Sequence, residues 1–158
     1  MKKIIEAAKN GDYEQLRLLI KQSENSNDYN KALEYASKNG HTECVKLLIP
    51  VSDTKNCNAL SWASICGHTE CVKLLIPVSD PKANNSEALI WAGENNNNDC
   101  VELLLPHSDI SAWSKEEWRN IDPDVQNIIL SYYSKISLEQ NVLSNNDRNL
   151  KPKKIHKL

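Results

Sequence analysis

Phenylalanine is missing from this 158-residue chain, and glycine occurs only four times. Four scattered glycines leave no glycine-rich loop able to cradle a phosphate, which removes the common nucleotide-binding loops from consideration. No stretch approaches the ~18 apolar residues that a membrane-spanning helix requires, so none is expected. The opening Met1-Lys2-Lys3-Ile4-Ile5-Glu6 sets an acid where a secretory leader needs its apolar run, and no such leader is expected. A formal charge of −2 is no strong field of either sign. Residues 144–158 do carry Arg148, Lys151, Lys153, Lys154 and Lys157 against Asp147, a balance of +4 that leaves −6 for the remainder. An acidic body repels phosphate backbones, so reading of DNA or RNA is disfavoured and the basic end reads as a disordered, solubilising tail.

What is present is repetition. The fourteen-residue string GHTECVKLLIPVSD stands unchanged at Gly40–Asp53 and at Gly67–Asp80. Worn copies follow Gly11 and Asn96, so equivalent points recur at intervals of 29, 27 and 29 residues. A second shared piece precedes each: Ile4-Ile5-Glu6-Ala7-Ala8, Leu33-Glu34-Tyr35-Ala36-Ser37, Leu60-Ser61-Trp62-Ala63-Ser64 and Leu89-Ile90-Trp91-Ala92-Gly93. A short-period repeat is one supersecondary unit that buries its apolar face only by stacking on neighbours.

Each unit reads as two short helices. Leu33, Ala36 and Ser37 form a stripe at i, i+3 and i+4 whose small members admit a neighbouring backbone. Gly40 is the left-handed stop after the first helix. Thr42 is placed to cap the second by accepting a backbone N–H. Cys44, Val45, Leu47, Leu48 and Ile49 supply the apolar face, and Pro50 ends the helix. Cys44, Cys71 and Cys100 share one core slot, where a small hydrophobe fits. With five cysteines in all, an odd number, this favours free thiols in a reducing compartment over disulfides.

The order of apolar pair, small pair, Gly-His, branched pair and leucine triplet resembles the ankyrin repeat. Leu33, Ala36, Gly40, His41, Val45, Leu47 and Leu48 fall on that motif, as do Leu60, Ala63, Gly67, His68, Val72, Leu74 and Leu75. The resemblance covers residues 2–109 and extends to about 134. It implies an all-α, ankyrin-like helical solenoid that binds other proteins. Three departures stand out. The family's Thr-Pro is Lys31-Ala32, Asn58-Ala59 and Glu87-Ala88, its histidine after the leucine is Glu34, Ser61 and Ile90, and the repeats fall short of the usual ~33 residues. The deficit lies after the second helix, where Ile49 to Leu60 is eleven residues, so a tight loop is expected in place of the family's β-hairpin finger. The expected layout is a repeat domain over 1–143, with repeats at 2–30, 31–57, 58–86 and 87–112, a helical cap at 113–143, and the tail at 144–158.

At the N-terminal end Gln15 takes the cysteine slot, as a polar outer face requires. In the cap, Ser114-Lys115-Glu116-Glu117 reads as a capping box, Asp122-Pro123 opens a helix, and Ser137-Leu138-Glu139-Gln140 opens another. Asp124–Leu130 echoes Asp99–Leu105 as a fifth, degraded unit. Trp113 and Trp118 are expected to seal the lower edge of the stack.

Equivalent residues of a stack align in columns. Glu6, Tyr35, Trp62 and Trp91 each follow the buried leucine or isoleucine by two residues, about 200° around the helix. They are expected on the concave side, where Tyr and Trp make effective binding anchors, or else stacked ring on ring between repeats. Around them the first-helix positions vary: Lys31, Glu34 and Lys38; Asn58, Ser61 and Ile65; Glu87, Ile90 and Glu94. The candidate binding residues are thus Tyr35, Trp62, Trp91, Glu34, Ser61, Ile65, Ile90 and Glu94.

No catalytic constellation competes with this reading. His41 and His68 belong to the repeat turn, where they are expected to hydrogen-bond the adjoining loop. Cys66 and Cys71 lack a second ligand pair at zinc spacing. No metal or cofactor is expected and no enzymatic activity. The expectation is a monomeric protein-interaction module, cytoplasmic or delivered to a host cytosol. Asn, Lys and Ile are abundant, as in the ankyrin-like proteins of intracellular bacteria, protists and large viruses, which suggests a host-directed effector. A regulatory or inhibitory enzyme subunit and a self-associating scaffold are the alternatives.

Overall fold

The computed structural model describes residues 3–21, 26–55 and 58–149. Among them the helices come in pairs: α1 (Lys3–Asn10) with α2 (Tyr13–Ile20), α3 (Ser26–Lys38) with α4 (Thr42–Leu48), α5 (Ala59–Ile65) with α6 (Thr69–Leu75), and α7 (Ala83–Glu94) with α8 (Asn98–Leu104). Then follow α9 (Lys115–Asn120) and α10 (Pro123–Asn149). No strand forms among the described residues. Where a hairpin finger would stand, α4 and α8 run into 3-10 turns at Ile49–Val51 and Leu105–His107, each with a proline at its start. The expected tight connection is what the chain adopts.

Burial follows the repeat slot by slot. Ile4, Leu33, Leu60 and Leu89 are buried on the first helices, beside Ala7, Ala36, Ala63 and Ala92. Leu16, Val45, Val72 and Val101 are buried on the second helices, and Cys44, Cys71 and Cys100 lie in their shared slot as free thiols. Gln15, in that slot at the N-terminal edge, is exposed. The small residues do what their size allows: a Cβ on Gly93 would meet Ile121 at 3.2 Å. First helices pack on first helices and second on second, so one apolar seam runs through the stack. The first helices lie closer together than the second ones, which makes their side the inner wall of the curve.

The turns between paired helices use one device. Gly11, Gly40 and Gly67 stand at φ 72°, 72° and 71°, the left-handed region, and Asn96 takes the same part at φ 56°. The next residue is the N-cap of the second helix, and its side chain decides what holds what. Asp12 accepts from its own helix at Gln15 N, 3.0 Å away. His41, His68 and Asn97 leave their own helices without a side-chain cap and reach back one repeat. His41 Nε2 donates to the Lys9 carbonyl and His68 Nε2 to the Lys38 carbonyl, both at 3.0 Å. Asn97 Nδ2 donates to the Ser64 and Ile65 carbonyls at 2.8 and 2.9 Å. These carbonyls end the preceding first helix, where no intrahelical partner remains. Thr42, expected as the cap, is instead the first helical residue. The left-handed Gly40 turns the chain one residue sooner, and Thr42 Oγ1 faces Cys71 Sγ of the next repeat at 3.7 Å.

The C-terminal end departs from expectation in one element. Ser114 and Glu117 form the capping box of α9. Val125 and Ile129 are buried where Cys100 and Leu104 lie one unit earlier, whereas Leu130 is 52% exposed where Leu105 is buried, so the fifth unit follows the repeat only in part. The helix expected to open at Ser137 does not form separately: α10 continues from Pro123 to Asn149, past residue 143, because no glycine or proline interrupts it. The tail assigned to 144–158 therefore begins inside this helix, and 150–158 lie outside the described residues. Trp113 and Trp118, 6.2 Å apart at 47°, both pack against the core beneath the last full repeat.

Candidate functional site

The inner wall is built by α1, α3, α5 and α7. Because Ile4, Leu33, Leu60 and Leu89 turn inward, the residues two positions on face outward along the stack. Glu6 is exposed, Tyr35 and Trp62 are half-buried, and Trp91 is 37% exposed. Tyr35 leans on the buried core; neither indole belongs to it. The rings do not stack on one another: among the described residues the ring–ring contacts are Trp113–Trp118 and Tyr132–Tyr133.

Charged neighbours occupy the indoles instead. Lys38 Nζ of α3 sits 4.4 Å from the ring centroid of Trp62 on α5, a cation–π contact between adjacent repeats. The Trp91 indole N–H donates to Glu87 Oε1 at 3.0 Å, one helical turn back. Between α3 and α5 lies a groove of about 210 Å³ lined by Lys31, Glu34, Tyr35, Lys38 and Trp62. Its floor is braced by Glu34, whose Oε1 accepts the Asn58 N–H at 3.0 Å and so fixes the entry to α5. Ser61 is half-buried and lines a neighbouring cleft at the loop edge with Asn58, Asp80 and Glu87. Ile65 and Glu94 are half-buried on α5 and α7.

Ile90 is a correction. It is buried to 8% exposure, matching Ile5 in the first repeat, and is not an exposed position of the wall. Its slot lies at the edge of the seam: polar Glu34 and Ser61 stay half-buried there, whereas branched aliphatic Ile90 gains by leaving water and is buried. The Ile5–Ile90 equivalence was the signal for this. Lys38 and Glu87 are the reverse case, since both stood among the varying positions without being paired to the rings. The i,i+4 spacing of Glu87 and Trp91 could have revealed one of them, but the Lys38–Trp62 contact needs the stacking offset between repeats.

Cys66 is exposed and Cys71 buried, so they do not converge, and no group of three metal-ligating side chains occurs among the described residues. Nor is any helix among them long and apolar enough to cross a membrane.

The family model for ankyrin repeats (3 copies) matches residues 4–85 and 49–116. No curated protein matches the chain. Among solved structures, the human ASB11 ankyrin repeat domain is 24% identical, over 67% of this chain and 54% of that one, with a TM-score of 0.59. The chain thus spans about half the length of that domain, and the likeness is one of fold. Repeating helix pairs, Gly-His turns and a family match running from residue 4 to 116 lead to one conclusion: this chain belongs to the ankyrin-repeat family.

Proposed function

We propose that the inner wall binds a segment of a partner protein, with Trp62 and Trp91 as anchors and the groove beside Tyr35 and Trp62 as the central contact. Ankyrin repeats are generally protein-interaction modules, and the shortened connections turn the reading toward the helices rather than toward fingertips. The observation that carries it is the placement of the two indoles. Both stand on rigid first helices, partly exposed and apart from the core, at successive rungs of the wall. A core tryptophan would be buried against the seam. These two hold large apolar faces at a fixed spacing, which lowers the ordering cost of binding. Lys31, Lys38 and Glu94 surround them with charge that selects among partners.

The test is affinity capture with the native chain, followed by measurement of the captured partner's affinity for Trp62→Ala and Trp91→Ala. Each substitution is expected to weaken binding by about 2 kcal/mol or more, with the far-ultraviolet circular dichroism unchanged. Unaltered affinity in both variants would remove the wall as the binding surface.

A further inference from the structure

On Trp62 the cation is supplied from within the chain, by Lys38. One repeat further along, the position equivalent to Lys38 is Ile65 and the ring equivalent to Trp62 is Trp91. The slot that holds an ammonium group above one indole therefore carries no cation at the next. Everything else that favours a positive charge is more developed at Trp91. Its ring is the more exposed of the two. Glu87, bonded to the indole N–H, and Glu94, one turn on, flank it on the same helix face. Glu94 makes no hydrogen bond or ion pair among the described residues, and α7 contains no lysine or arginine. At the opposite end of the wall, α1 and α3 carry both signs, Lys9, Lys31 and Lys38 alternating with Glu6 and Glu34.

We infer that Trp91, Glu87 and Glu94 form a subsite for a basic side chain, arginine or lysine, of the bound protein segment. The cation lies over the indole as Lys38 lies over Trp62, and the two carboxylates complement its charge. By accepting the indole N–H, the Glu87 carboxylate polarises that bond and pushes electron density into the ring, which makes the ring face a better partner for a cation. This inference rests on the inner wall being the binding surface.

The experiment titrates the ¹⁵N-labelled chain with the capped tripeptide acetyl-Gly-Arg-Gly-amide, following the four indole N–H resonances. A second titration uses the citrulline counterpart, which keeps the shape and lacks the charge. The Trp91 resonance is expected to shift saturably with the arginine peptide, at a concentration about two- to fivefold lower than with citrulline. Trp113 and Trp118 should stay in place, and the Glu87→Gln, Glu94→Gln double variant, which keeps an acceptor for the indole, should erase the preference. Equal response to both peptides, or equal movement of all four indoles, overturns the subsite. Those failures leave the wall itself standing if Trp62→Ala still weakens binding of the captured partner, so the two readings separate.

Discussion

At the scale of single residues, the left-handed turn is where the repeat is least forgiving. A side chain at Gly40 would have to adopt φ 72° and place its Cβ 2.6 Å from His68 Nδ1, so strain and collision add. Gly40→Ala is expected to cost about 2 kcal/mol, read from the urea midpoint. Asn96→Gly, at the same slot, should shift stability by about 1 kcal/mol at most. The residue after the turn separates capping from tethering. His68→Ala strips the Lys38 carbonyl of its donor and should cost about 1–2 kcal/mol. His68→Asn should cost less, since Asn97 already bridges two repeats with a side-chain amide. Much of this was legible in the sequence, because Gly-His recurs at a fixed place. What a reader of sequence lacks is the distance across the stack. The hand-over from Asp12, which caps its own helix, to His41, which reaches back, becomes visible only when repeats face one another.

At the scale of elements, the second helices α4, α6 and α8 each bury a thiol at one slot. Burial is the largest cause pushing each of these thiols above the ordinary value of 9.0. Neighbouring acids push the same way, and for Cys71 and Cys100 a threonine hydroxyl opposes in part. Once the pH passes 9, unfolded thiols lose protons that the folded ones keep. The unfolded chain then binds fewer protons, and stability must fall as pH rises. Urea midpoints should therefore be flat from neutral pH to about 9 and decline above it, and the decline should shrink when the three cysteines become alanine. Alkylation of the native chain should reach exposed Cys66 before buried Cys44, Cys71 and Cys100. Periodicity located these helices well, as their apolar slots repeat without change. It failed in α10, where Ser137 followed two residues later by Glu139 resembled a fresh start. A polar residue marks a helix start only where the preceding backbone is not already helical, and nothing between Pro123 and Ser137 breaks it.

At the scale of the molecule, each unit touches only its neighbours, so the ends decide whether the stack is closed to solvent. Ile121, Val125 and Ile129 cover the last full repeat. A chain ending at residue 112 should lose about 3 kcal/mol or more by denaturant titration, and should self-associate in light scattering where the full chain does not. The site was legible as a column of aromatic residues and no further. Sequence equivalence aligns Tyr35, Trp62 and Trp91, yet the same alignment put Ile90 outside. Whether a side chain at the rim turns in or out depends on its shape against a neighbouring rung.

The tethers from His41, His68 and Asn97 all point toward the N-terminus, and this gives the array a grain. An internal module inserted in tandem brings its own imidazole and finds a carbonyl waiting above it, so lengthening the array in its middle preserves every link. Moving the first module inward would set the Asp12 carboxylate against that carbonyl, oxygen facing oxygen. The modules are thus interchangeable in shape but not in order.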